Sequence, residues 1–385
     1  MKKIIFTILA VATLASCKKK EENKPNTSES AAISNYADIA YAEYKDAYDE
    51  ALKLQTGINE FCDVPTEAKF ENLKVLYANA RIPYEKTECF RAAKTPIDEG
   101  KDAVEGKLNS WPLEENYIDY VSNDANAGII NNPTEYPVLS KVLIDSLNQK
   151  GVAGDVNVTI GYHAIEFLLW GQDLNVDPLS AGQRKYTDYT TLANYERRKT
   201  YLKAITEILI ADLKYLVEQW QPNGAFRTKF LANSTSDNLN NMFSGIAWFT
   251  AGELPTERMY KAVQEGKQEE EHSCFSDLTD QDIKLSMQGI SIVMNGSYNK
   301  VNGETVTSFG LLKVLEEKDA SGAKSVDSLL NVAIANCSKI PAPFDQAIIT
   351  NGGQVVTDAQ KSISAFSTEL QAVCEKNGIK MNITE

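Results

Sequence analysis

The chain holds only two histidines, His163 and His272, and each stands three residues from an acid, Glu166 and Glu269. An imidazole beside a carboxylate is a common donor pair for a protein-bound metal and an equally common buried hydrogen-bonded pair. A spacing of three puts both side chains on one face of a helix. The chain has 53 acids in 385 residues. At that density about 45% of positions meet an acid at i±3 or i±4 by chance, so spacing alone decides little.

Context says more about His163. It lies in Gly161-Tyr162-His163-Ala164-Ile165-Glu166-Phe167-Leu168-Leu169-Trp170, which is apolar nearly all round and predicts a buried helix. A buried carboxylate costs several kcal/mol unless paired, so Glu166 needs His163, an arginine or a cation. Gly161 lets another backbone come close. His272 follows Glu269-Glu270-Glu271, and Glu269 gives it the Glu-x-x-His spacing of helical metal sites. A third polar group, Arg81, Tyr84, Glu85, Thr87, Glu88, Arg91 and Asp98, crowds around Pro83 and Pro96. That pattern predicts a kinked helix end able to line a pocket.

Other chemistries have no footing. There is no His-Glu-x-x-His, no Gly-x-Ser-x-Gly and no phosphate loop. A net charge of −14 without a basic stripe excludes nucleic acid as a natural partner. Cys62, Cys89, Cys274, Cys337 and Cys374 form no C-x-x-C pair, so neither a disulfide scaffold nor a zinc-thiolate site is expected; one or two bridges stay open.

The elements that must position these residues are helices. A stripe of period 3.6 runs from Ser34 to Phe61 through Tyr36, Ile39, Tyr44, Ala47, Ala51 and Ile58. Cys62-Asp63-Val64-Pro65-Thr66 ends it, and a second helix from Glu67 should break or kink at Pro83, making an αα-hairpin. Further helices are expected over 137–147, 159–170, 190–220, 239–251, 257–271, 280–293, 311–315, 325–338 and 357–377. Asn302-Gly303 suggests a small hairpin over 301–306. The clearest break is Gln221-Pro222-Asn223-Gly224. It divides an all-α chain into two helical halves, 34–230 and 231–385.

The N-terminus carries an export signal. Lys2-Lys3, the apolar run 4–14 and Leu14-Ala15-Ser16-Cys17 match a lipoprotein processing box, in which the Cys17 thiol takes a lipid. Residues 1–16 are then a signal peptide. Residues 17–33 read as a polar, flexible tether, whose Lys-then-Glu run is suited to outer-surface sorting.

Four segments together resemble the imelysin-like family. They are Gly161-x-His163-x-x-Glu166; Pro83 to Arg91 with Pro96-Ile97-Asp98; Gly182 to Tyr189; and Glu270-Glu271-His272-Ser273-Cys274-Phe275-Ser276-Asp277. They stand in order from the first half to the second. The resemblance implies two bundle-like halves packed together, with the G-x-H-x-x-E helix at their join lining a cleft. It implies an envelope lipoprotein, held in the outer membrane on the periplasmic side or at the cell surface. Glu88, Arg91, His163, Glu166, Glu271, His272 and Asp277 become candidate ligand-binding residues, with His163 and Glu166 as metal ligands. The expected cargo is iron, haem or another divalent metal, handed to iron-uptake machinery. The alternatives are a metal-dependent peptidase using His163 and Glu166, and a surface interaction protein whose His-Glu pair only fixes packing. After Asp277 this chain has Leu278-Thr279-Asp280, where relatives often have Asn and a second His, which removes one ligand group.

Overall fold

The computed structural model describes residues 27–100, 102–151, 153–174 and 180–383. The signal segment and Cys17 lie outside the described residues. Helices dominate, as the period-3.6 stripes require. α1 (Thr27–Asp63) and α2 (Glu67–Lys86) form the expected antiparallel hairpin. Tyr36, Ile39, Tyr44, Ala47, Ala51, Ile58 and Phe61 of α1 are all buried. The Thr66 side chain accepts from Lys69 N–H and starts α2. α3 (Gly161–Trp170) is buried at every residue and packs on α2 and on α4 (Tyr195–Trp220), which also lies along α1.

α5 (Thr235–Trp248) runs on without a break through a π-helical stretch, Phe249–Tyr260, and a last α-helical turn, Lys261–Glu265. α6 (Thr279–Asn295) packs against α2. Gly289 permits this, since a Cβ there would meet Lys86 O at 2.0 Å. β1 (Ser297–Asn299) and β2 (Thr305–Thr307) pair antiparallel with Tyr298 opposite Val306, close to the expected hairpin. α7 (Leu311–Lys318), α8 (Ala320–Cys337), α9 (Phe344–Ile349) and α10 (Gln354–Lys376) complete the chain. α10 packs on α8 and on the π-helical stretch. Buried apolar side chains from α1 to α10 form one connected core. No helix among the described residues is long and apolar enough to cross a membrane. The five cysteines after Cys17 are free, buried thiols.

Three expectations are corrected. The tether ends earlier than residue 33: α1 begins at Thr27, and Ala32 and Ile33 are buried. Its polar first turn finds partners from far along the chain, Glu29 pairing with Lys318 at 2.7 Å and Ser28 with Glu317. Pro83 does not break α2, which continues to Lys86 with Pro83 buried inside it. Packing around this turn outweighs the lost N–H, and Tyr162 OH reaches Ala80 O at 3.4 Å. The helix expected over 257–271 ends at Glu265, where Gly266 turns left-handed. Glu269 and His272 therefore share no helix face.

Candidate functional site

α3 starts at Gly161, whose φ is 88°. A Cβ there would lie 2.5 Å from Lys107 O and 2.7 Å from Leu108 O, so glycine alone fits. The far end of α3 is strapped by the Gly182–Tyr189 segment. Arg184 N–H donates to Trp170 O at 2.7 Å, Tyr189 OH to Leu168 O at 2.6 Å, and Gly182 N–H to Phe275 O at 2.9 Å. Arg184 is itself anchored on Asp119, which also accepts two bonds from Arg198, at 2.7 and 2.8 Å. Burial works against the Asp119 charge, but the two arginines outweigh it and hold the carboxyl down at about 2. The third motif thus fixes α3 to the segment carrying His272.

His163 and Glu166 are fully buried. His163 Nδ1 lies 2.9 Å from Glu166 Oε2. An ionised carboxylate only accepts, so Nδ1 carries the proton and Nε2 holds the lone pair. The rest of Glu166 is occupied: Oε2 also takes Tyr77 OH at 3.3 Å, and Oε1 takes Ser276 N–H at 3.0 Å and Ser276 Oγ–H at 2.6 Å. His163 Nε2 is buried without a partner. The His272 ring stands edge-on to His163, with centroids 4.6 Å apart, and Trp111 covers His163 at 5.1 Å. Burial lowers the pKa of both imidazoles, more strongly for His272, where Arg258 pushes the same way. Both rings are therefore neutral and able to donate lone pairs.

Behind His272 sits an ion network. Atoms of Glu85, His272 and Asp282 come within 4.8 Å of one another. Arg81 reaches Glu85 at 2.5 Å and Asp282 at 2.7 Å, and Ser273 Oγ–H donates to Asp282 at 2.6 Å. Arg258 meets Glu88 at 2.5 Å and Glu253 at 3.0 Å, and Arg91 meets Glu88, Glu105 and Glu253 at 3.2–3.5 Å. Five carboxylates (Glu85, Glu88, Glu105, Glu253, Asp282) thus face three guanidiniums. Burial opposes the Asp282 charge, yet Arg81, His272 and Ser273 hold its carboxyl below the usual range. Glu85 is pushed up to about 8 by burial, despite Arg81. A cleft of about 320 Å³ opens onto this network, lined in part by Arg91, Glu105, Trp111, Arg258, Lys261 and His272.

The structure brings His163, Glu166, His272 and Arg91 to this region. Glu88 lies under the cleft, held by Arg258. Glu271 and Asp277 lie elsewhere: Glu271 is fully buried and faces Asp345, and Asp277 clusters with Asp173 and Asp345. Asp282, Arg258, Glu253 and Trp111 were not legible. Acids in a helix's first turn are routine partners of its dipole, so Asp282 carried no distinct signal. Glu253 and Arg258 stand five apart, which shares a face in a π-helix but not in an α-helix.

Comparison with known proteins agrees with this architecture. A search of curated proteins finds no match. A solved structure described as an iron-regulated protein A precursor from Parabacteroides distasonis ATCC 8503 superposes with a TM-score of 0.69 at 15% identity, covering 91% of this chain and 95% of that one. An imelysin-like protein from Psychrobacter arcticum 273-4 gives 0.64 at 14% identity, covering 93% and 97%. These likenesses establish the fold. Residues 1–17 match a prokaryotic membrane lipoprotein lipid attachment site, so the protein is lipid-anchored through Cys17. Residues 40–370, most of the helical body, match the imelysin family model, and the chain belongs to the imelysin family.

Proposed function

We propose that this lipoprotein captures a transition-metal ion, iron foremost, at the His163–His272 pair, as an envelope step in iron acquisition. One observation carries the reading. His163 Nε2 is buried, unpartnered and beside a second neutral imidazole. An orphaned lone pair in a core is costly unless something binds it. His272, Glu85 and Asp282 bring ligand atoms close together, a nitrogen-and-oxygen set that suits Fe(II) or Zn(II), and the His163 ring stands beside it. Five acids face three arginines, and Glu85, pushed up to about 8 by burial, can release its proton to a bound cation. Glu166 acts as the orienting partner of His163, not as a ligand, because both its oxygens are already engaged. The network also spans residues on either side of the Gln221–Gly224 break, which fits a site at the join of two halves. Iron is preferred because a structural neighbour is described as iron-regulated. The charged cleft lining favours an ion over a porphyrin, which needs an apolar slot.

A peptidase needs a free base beside a metal-bound water. Glu166, its natural candidate, already accepts from His163, Tyr77 and Ser276, and this favours binding over hydrolysis.

The test is elemental analysis of the purified protein, followed by calorimetric titration with Fe(II) under anaerobic conditions. His163→Ala and His272→Ala should each weaken binding about tenfold or more, on the order of 1.4 kcal/mol. Circular dichroism should show both variants folded. Equal affinity in all three proteins would overturn the reading.

A further inference from the structure

On the other side of the His272 segment lies a second group of acids that the His163–His272 site does not use. Asp277 is in the segment itself, Asp173 follows α3, and Asp345 opens α9. One carboxylate oxygen from each lies within 4.8 Å of the others, and all three side chains are buried. Three carboxylate oxygens gathered this closely can touch a single cation.

Glu271 supplies an independent pointer. It is fully buried, both its oxygens lack an aligned donor, and its carboxyl is turned toward Asp345. Both oxygens of Asp345 and Oδ1 of Asp277 are likewise buried without a donor. Among the described residues, no lysine or arginine forms an ion pair with Glu271, Asp277 or Asp345. The Glu85–Asp282 network is different, because there guanidiniums are interleaved with the acids. Asp173 accepts from Gln268 Nε2 at 2.9 Å, whereas Glu271, Asp277 and Asp345 converge without a cationic side chain and repel one another, and burial strengthens the repulsion.

We propose that Asp173, Asp277 and Asp345, with Glu271 behind them, form a binding site for a hard divalent cation of the calcium class. The donors are all oxygen, which selects calcium over the softer metals that suit imidazole. The ion joins α9 and the end of α3 to the segment that carries His272 and Ser276. It therefore holds the histidine pair in place from behind.

The test is calcium titration of the full chain by calorimetry and by thermal melting, with His163→Ala as the control that removes the other site. Wild type and His163→Ala should bind one calcium alike, and both should melt higher as calcium is added. Asp345→Asn and, separately, Asp277→Asn should weaken calcium binding by about tenfold or more, because affinity follows the number of ligand charges. Without calcium, Asp345→Asn should melt at or above wild type, since a repelling charge is gone. If millimolar calcium neither binds nor shifts the melting of the wild type, the acids share protons only and the proposal fails. Calcium binding lost in His163→Ala but kept in both Asp variants also overturns it, by placing the ion at the histidine pair.

Discussion

Glu166 Oε2 sits 2.9 Å from His163 Nδ1, and this contact decides which face of the imidazole is available. With the proton held toward Glu166, the lone pair points away from it, from a ring that stands beside His272. A carboxylate–histidine pair of this kind raises ligand basicity and fixes ring orientation.

Replacing Glu166 by Gln keeps the shape and removes the charge. Metal affinity should fall by about 10–100-fold, the usual cost of losing an orienting carboxylate. Calorimetry with Fe(II) or Zn(II) reads this directly. Wild-type affinity in Glu166→Gln would refute the orienting role.

Gly161→Ala should destabilise the protein by about 1–3 kcal/mol, because φ is 88° and the new Cβ would clash with Lys107 O. The start of α3 must move to relieve the clash, and His163 moves with it. Urea unfolding and metal titration of one sample should show both losses together. A stable variant with weak binding, or an unstable one with normal binding, would separate effects that the geometry couples.

Asp119→Asn should cost about 3–5 kcal/mol by leaving two buried arginines short of a partner. The pH dependence has a definite sign. The folded carboxyl titrates near 2, below its ordinary value of 3.8. The stability it supplies is therefore complete above about pH 4 and lost as pH falls through 2, on the order of 2 kcal/mol. Denaturant melts between pH 5 and pH 2 should show the wild type losing more than Asp119→Asn over that window. Parallel curves would mean that Asp119 does not carry this term.

Cys17→Ser removes the thiol that takes the lipid. The variant should leave the membrane fraction and appear in the soluble fraction. Unchanged fractionation would show that another anchor holds the protein.

Most helices were legible because their buried stripes are long and regular, as in α1, α4 and α10. The hairpin was legible from Asn302-Gly303. Errors arose where partners from distant sequence decide the outcome. Lys318 and Glu317 order the polar start of α1, and neighbouring helices carry α2 through Pro83. At the site, His163 and Glu166 stood out because a buried helix makes any polar residue conspicuous, and His272 because the chain has only one other histidine. Asp282 and Arg258 did not, since an acid in a first turn and an arginine in a polar helix look solvated until a buried partner is known. Glu271 and Asp277 flank His272 in sequence, but in this non-helical segment they face Asp345 and Asp173 instead of the histidine.

The π-helical stretch Phe249–Tyr260 has its N–H groups reaching five residues back, as Lys261 N–H does to Thr256 O. Such a stretch holds more residues per turn than an α-helix. Deleting one residue there would let the stretch relax towards the α form, changing the phase of residues within it while those beyond keep theirs. Arg258 would swing away from Glu88 and Glu253 while helix content and core stayed nearly constant. The charge balance of the cleft thus depends on residue count in one helix. A homologue one residue shorter there would keep the fold and lose the arginine that neutralises its floor.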